Sequence, residues 1–199
     1  MFWYENDIQQ LENIPVVPGS GKQRIIFYGS SSIRLWESLE TDFPEFDAMN
    51  MGFGGSTFAA CCWFFKRVIP QHKPDIIVIY AGDNDLGDGR HPEEVYLFFK
   101  NMMALIKQYC GQIPVFIISV KPSLSRLYLY NSIEYTNKII SAEILQNYPS
   151  CIFVDVFNEM LNNGAINQTL FEPDGLHLSR QGYEVWTSVV KMQIHKQMV

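Results

Sequence analysis

The sequence predicts a doubly wound α/β protein built on a parallel sheet. Five short apolar runs, each the size of a strand, recur along the 199 residues. Segments with helical periodicity separate them. The central run, residues 75–81 (DIIVIYA), is β-branched and unbroken, as in a parallel strand covered on both faces. Strands that alternate with helices in this way make the βαβ repeat of such a sheet.

Taken in order, residues 24–29 (RIIFYG) are a buried run that ends in small residues. Residues 46–51 make a weaker second strand that stops at Gly52, and 75–81 is the third. Residues 113–120 (IPVFIISV) and 151–156 (CIFVDV) are the fourth and fifth. A helix over 1–14 precedes them as an extension, and 15–22 (PVVPGSGK) is a short loop. Helices are expected over 57–69, 92–109, 132–147 and 179–192. Pro92 suits a first helical turn, Glu93 and Glu94 complement the N-terminal dipole, and Gly111 follows the end. Pro149 stops the third helix, and Ser179 is a candidate N-cap of the last.

Composition sets the outer limits. A chain of 199 residues reads as one domain over 1–199. It can bury roughly 70% of its unfolded surface. Apolar residues are 47% and charged residues 18%, which excludes disorder because there is ample surface to bury. The net charge of −6, with no basic face or stripe, argues against a nucleic-acid partner. No run approaches the ~20 apolar residues of a membrane span. Four cysteines (Cys61, Cys62, Cys110 and Cys151) form no C-x-x-C pair and are read as reduced core thiols. With no basic n-region or long apolar h-region at the N-terminus, this leads to the expectation of a cytoplasmic protein.

Several motifs fail on inspection. Gly19-Ser20-Gly21-Lys22 resembles the end of a phosphate-binding loop, but Val16 replaces its first glycine and Gln23 its Ser/Thr. Residues 83–94 place Asp83, Asp85 and Glu94 in an EF-hand register, yet Asp88 stands where the turn glycine belongs. Asn167-Gln168-Thr169 is a glycosylation sequon, relevant only to a secreted eukaryotic chain. His72, His91 and His195 sit in polar stretches without metal-ligand spacing.

In open α/β sheets ligands sit beyond the carboxyl ends of the strands. Four blocks pass that filter or complete it. Ser30-Ser31-Ser32 stands where a strand turns into a helix, so a backbone N–H there favours an anionic intermediate. Clustered glycines in residues 50–57 (NMGFGGST) let backbone N–H groups approach a ligand. Asn84, in Gly82-Asp83-Asn84-Asp85, supplies a neutral side-chain donor. Asp174 and His177 are three apart in a turn before the last helix, so the carboxylate can orient one imidazole nitrogen while the other faces outward. Each block has an ordinary structural reading as a cap or a turn. Together, a serine nucleophile, an oriented histidine and several oxyanion donors make an acyl-transfer site. The nucleophile elbow G-x-S-x-G of α/β-hydrolases is absent, since Ile33 fills its final position.

The four blocks, in this order, resemble the SGNH hydrolases, the GDSL esterase/lipase family. Gly29-Ser30-Ser31 looks like the G-D-S block and residues 50–55 like N-x-G-x-x-G. Gly82–Asp85 looks like G-x-N-D and residues 174–177 like D-x-x-H. The wider phrases GSSSIRLW, YAGDNDL and DGLHLSRQGY look like a bacterial subgroup of GDSL-like acylhydrolases. The resemblance implies Ser31 as nucleophile, His177 as general base and then acid, and Asp174 as its orienter. It implies an oxyanion hole from the backbone of Ser31 and Gly55 and the side chain of Asn84. It also implies a three-layer αβα fold with a five-stranded, flavodoxin-like parallel sheet, and no metal or organic cofactor. One departure matters: Ser30 stands where the family has Asp, so three serines run together and Ser30 and Ser32 are alternatives to Ser31. Neighbours at a strand end point to opposite sides, so one should face His177.

The reading that results is a serine ester hydrolase acting on a small-molecule ester through an acyl-enzyme. The length leaves no room for a large lid, which favours short acyl or acetyl groups over long chains. Phe53, Trp63, Leu86 and residues 121–130 are candidates for the pocket wall. An acyltransferase, a lysophospholipase or thioesterase with the same triad, and a non-catalytic carbohydrate-binding module are the rival readings.

Overall fold

The computed structural model describes residues 1–16 and 21–198. The 15–22 loop therefore lies partly, and its Gly19-Ser20 pair wholly, outside the described residues.

The chain opens with a short 3-10 turn at Phe2–Tyr4 and helix α1 (Glu5–Glu12). Strand β1 (Arg24–Gly29) follows, then two single-turn helices, α2 (Ser31–Arg34) and α3 (Leu39–Asp42), and β2 (Asp47–Gly52). Next come α4 (Phe58–Val68), β3 (Ile76–Tyr80), α5 (Asp83–Gly87) and α6 (Pro92–Cys110). The chain continues through β4 (Val115–Ile118), α7 (Tyr130–Asn147) and β5 (Cys151–Val154). A two-residue hairpin, β6 (Leu161–Asn162) with β7 (Ala165–Ile166), precedes α8 (Arg180–Met198).

The five long strands form one parallel sheet in the order β2-β1-β3-β4-β5. Strand alternation divides its faces. Ile26, Tyr28, Ile77 and Ile79 pack with the buried faces of α1, α4, α6 and α7. Ile25, Phe27, Val78 and Tyr80 pack with α3 and α8 on the other side. That second layer centres on Trp36, whose ring lies 5.4–6.0 Å from those of Phe27, Phe43, Tyr183 and Trp186. The sheet and the covering helices on both faces are the three-layer αβα fold that the sequence predicts.

The differences are at the ends. The fourth strand begins at Val115, after Pro114, which has no N–H to donate to a ladder. Thr57 caps α4 instead of opening it, accepting from Ala60 N–H at 3.0 Å. The last helix runs on to Met198, and Ser179 caps it through Gly182 N–H at 3.3 Å. The single-turn helices α2, α3 and α5 and the hairpin carry too few residues for a period to show. His72 is a correction. It is fully buried, not in polar surroundings. Burial, and then the nearby Arg24, lower its pKa. Arg24 donates to the His72 carbonyl and to Asp47 at the amino end of the sheet, far from the strand ends considered below.

Gly29 sets how closely β1 and β3 can approach. A Cβ there would lie 1.9 Å from the Tyr80 carbonyl oxygen, and φ is +149°. Gly29→Ala is expected to destabilise the fold by roughly 3 kcal/mol or more, from overpacking and backbone strain together. Urea unfolding of the two proteins measures it; equal midpoints would show that the strands can separate freely.

Candidate active site

The site gathers at the carboxyl ends of β1, β2 and β3, where the strand order reverses between β1 and β3. Beyond Gly29, Ser30 N–H donates to the Tyr80 carbonyl at 3.0 Å. Ser30 is extended, and α2 then opens on Ser31. Ser30 and Ser32 are buried and Ser31 is half-buried. Strand alternation is therefore not what selects among the three serines. The chain has already left the strand, and the helical turn turns Ser31 outward. Two distant groups pin that turn. Asn50 Nδ2 donates to the Ile33 carbonyl at 2.7 Å, and Tyr183 Oη donates to the Ser32 carbonyl at 3.0 Å.

Opposite Ser31 lies the turn before α8. His177 Nε2 is 3.1 Å from Ser31 Oγ, and His177 Nδ1 is 2.6 Å from Asp174 Oδ2. A carboxylate only accepts, so Nδ1 carries the proton and Nε2 is free to accept from the hydroxyl. The other carboxylate oxygen accepts from Leu176 N–H at 2.8 Å and His177 N–H at 2.9 Å. Partial burial pushes the Asp174 carboxyl up. The Leu176 N–H, the His177 side chain and the His177 N–H outweigh it and carry the pKa down to about 2.

Of the two remaining predicted residues, Gly55 lies in the turn after β2 and Asn84 in α5. Gly55 is left-handed at φ +65°, and its carbonyl accepts from Tyr4 Oη at 2.9 Å. Asn84 Nδ2 donates to the Ser56 carbonyl at 3.0 Å, and its Oδ1 accepts from Arg126 Nη2 at 2.8 Å. Asp85, fully buried, accepts from Phe58 N–H and from Arg90 at 3.0 Å, so it anchors the start of α4 beneath the glycine loop. Burial raises its pKa against those hydrogen bonds. The structure thus brings all five predicted residues to one end of the sheet. Sequence reasoning missed Tyr4 and the contact of Tyr183, and took in Arg126 only as one of the 121–130 wall residues; no local pattern links the three to the blocks they support.

The expected pocket wall is corrected at Phe53, Leu86 and Lys121, whereas Arg126 of the 121–130 segment does reach the site, through Asn84. Phe53 and Leu86 are buried in the core, Trp63 is exposed, and Lys121 is buried in an ion pair with Asp83 at 3.3 Å. A cavity of about 640 Å³ opens beside His177, lined by Leu35, Glu37, Thr41, Glu172, Tyr183 and Glu184 among others, but not by Ser31, Gly55 or Asn84. Residues 83–87 are helical, not an ion-binding loop. Among the described residues no cluster of His, Cys, Asp or Glu could hold a metal, and no helix is long and apolar enough to cross a membrane.

A family model for the GDSL-like lipase/acylhydrolase family matches residues 26–185. The chain belongs to that family, a class of hydrolases. Solved structures agree on the fold. A candidate acylhydrolase from Bacteroides fragilis is 23% identical, with a TM-score of 0.82 over 98% of this chain and 97% of that one. A GDSL-like lipase from Bacteroides thetaiotaomicron is 22% identical, with a TM-score of 0.80 over 98% of each. An acetyl-xylooligosaccharide esterase from Geobacillus is 16% identical, with a TM-score of 0.69 over 88% of this chain and 95% of that one. No curated protein matches by sequence.

Asp174 also links the site to pH. Its folded pKa lies below the ~3.9 of an unperturbed aspartate. The ionised form therefore contributes stability that is full above about pH 4 and is lost as pH falls through 2. The carboxylate is half exposed, so solvent screening keeps the contribution small. The difference in Tm between wild type and Asp174→Asn is expected to hold steady from neutral pH down to about 5 and to shrink below about 4. A gap that stays constant to the lowest measurable pH would contradict the lowered pKa.

Proposed function

We propose that the protein is a serine ester hydrolase that cleaves short acyl or acetyl esters through an acyl-enzyme, with residues 1–199 forming a single domain of the family. The observation that carries this reading is the Ser31–His177–Asp174 chain of contacts, at 3.1 and 2.6 Å. Ser31 Oγ attacks the ester carbonyl carbon as its proton passes to His177 Nε2. The carbonyl electron pair moves onto oxygen, which rests among the N–H groups of Ser31 and Gly55 and Asn84 Nδ2. Collapse of this intermediate breaks the bond to the alcohol, and His177 returns the proton to the leaving oxygen. Water, deprotonated by His177, then attacks the acyl-enzyme, and the acid leaves as Ser31 regains its proton. Asp174, ionised throughout, stabilises the imidazolium formed in both halves.

The preference for small acyl groups rests on packing. Phe53 and Leu86, the apolar residues expected to line the pocket, are spent in the core. The cavity beside His177 mixes carboxylates and hydroxyls with few apolar side chains. Carboxylates and hydroxyls beside His177 can hydrogen-bond a polar alcohol portion, which a long hydrocarbon chain cannot return.

Ser31→Ala is expected to lower kcat by ~10⁶ with a nitrophenyl acetate substrate, and to abolish labelling by a serine-directed phosphonate. Turnover at the wild-type rate in that variant would overturn the assignment. Across nitrophenyl esters from acetyl to decanoyl, kcat/KM is expected to peak at the short end. A maximum at decanoyl would reject the substrate class while leaving the triad in place. Products analysed with competing alcohols should be mainly the free acid; a dominant new ester would mark an acyltransferase instead.

A further inference from the structure

The loop after β4, residues 121–126 (KPSLSR), lies in the segment expected to line the pocket and touches both halves of the site. An asparagine amide has a donor end and an acceptor end of nearly equal size. Around Asn84 the partners allow only one arrangement. Arg126 can only donate, and its Nη2 lies 2.8 Å from Oδ1. The Ser56 carbonyl can only accept, and it lies 3.0 Å from Nδ2. One Nδ2 proton is left uncommitted. Arg126 is itself held, with Nη1 3.1 Å from Asp83 Oδ2. Its guanidinium also lies over Gly87, where an added Cβ would come within 3.0 Å of Cζ. Lys121 holds the same carboxylate at 3.3 Å and lies 3.2 Å from Tyr80 Oη at the end of β3. The loop then reaches the opposite half. Ser125 N–H donates to the carbonyl of Gly175, between Asp174 and His177, at 3.1 Å. A Cβ on Gly175 would be 3.0 Å from Leu124 Cβ, so loop and turn are in direct contact.

We propose that Arg126 is a positioning residue for the oxyanion donor Asn84, and that the 121–126 loop is the strut that sets Asn84 against the Asp174–His177 turn. This rests on the reading of Asn84 as an oxyanion donor. Without Arg126 the amide loses the partner that identifies its oxygen end. A flipped amide would then present its carbonyl oxygen to the developing negative charge, which is repulsive. The arginine bond also carries a full positive charge on its donor side, and such charge-assisted bonds are roughly twice as strong as neutral ones. It draws electron density from the amide and makes the free Nδ2 proton a better donor.

A double-mutant cycle on the full chain with nitrophenyl acetate tests this. Asn84→Ala alone is expected to lower kcat by ~10²–10³. Arg126→Met alone is expected to lower kcat by about 10- to 100-fold, in the range for supporting partners of a reactive group, with KM little changed. Added to Asn84→Ala, Arg126→Met should cost no more than about twofold, because the group it positions is gone. Added guanidinium should restore part of kcat to Arg126→Met and none to the double variant. If the arginine were merely structural, its loss would be the same in both backgrounds, and that additivity would overturn the proposal. A raised KM at unchanged kcat would overturn it too. Should Arg126→Met fail to fold by circular dichroism, Arg126→Lys keeps the charge on Asp83 without the planar fork, and the same cycle is run with it. Phosphonate labelling separates the two claims. Ser31 labelled in wild type with an additive cycle rejects Arg126 alone; absent labelling rejects the esterase reading first.

Discussion

The carboxyl ends of β1 and β3 meet where no side chain fits. Gly29 lies against the Tyr80 carbonyl, and the next residue's N–H donates to that same carbonyl. This contact closes the seam between β1 and β3 at the point where the strand order reverses. Everything around the candidate site starts from it. The first chain leaves the seam as the Ser31 turn, and the second leaves as the Gly82–Asp85 turn, so their side chains stand within one small volume. A parallel sheet places all its carboxyl ends on one side, and β2 adds the glycine loop to the same edge.

Loops so assembled would drift unless their backbones were tied. The ties are side-chain hydrogen bonds to main-chain groups, made from other elements. Asn50 and Tyr183 hold α2 from two directions, while Asp85 holds the start of α4. Tyr4 reaches from the N-terminal turn to the Gly55 carbonyl. Arg67 on α4 in turn bridges Glu5 and Glu12 of the helix that follows Tyr4. That helix is an extension in sequence, but it supports the glycine loop. The candidate base is different. Asp174 and His177 are bonded within their own turn, so their mutual geometry is local and only their distance from Ser31 depends on the rest.

That distinction explains what could be read from the residues. The strands of the sheet were legible because burial on both faces leaves unbroken β-branched runs such as 75–81. The long helices were legible through their periodicity and their end signals, Pro92 in the first turn of α6 and Ser179 at the cap of α8 among them. The single-turn α2, α3 and α5 were not, since four or five residues carry no period. Register against the G-D-S block points to Ser31 among three serines, but strand alternation does not single it out, because the chain has left β1 and entered α2 there. Phe53 and Leu86 looked like pocket residues because apolar side chains beside a glycine loop read the same whether they face a ligand or the core.

The sequence by itself determined the order of strands and helices, the parallel sheet, and the short blocks that hold Ser31, Gly55, Asn84, Asp174 and His177. These are local properties. Each is written in a spacing of a few residues, set by burial on a strand or helix, by a turn's need for glycine, or by an Asp–His pair one turn apart. Tertiary structure decided the rest. It brought His177 to Ser31 across 146 residues, Arg126 to Asn84 across 42, and Tyr4 to Gly55 across 51. It also opened a cavity beside His177, between residues 35–42 and the start of α8. No local period encodes such contacts. They follow from packing the helices on the two faces of one twisted sheet, and that packing fixes which distant side chains can reach a given amide or carbonyl.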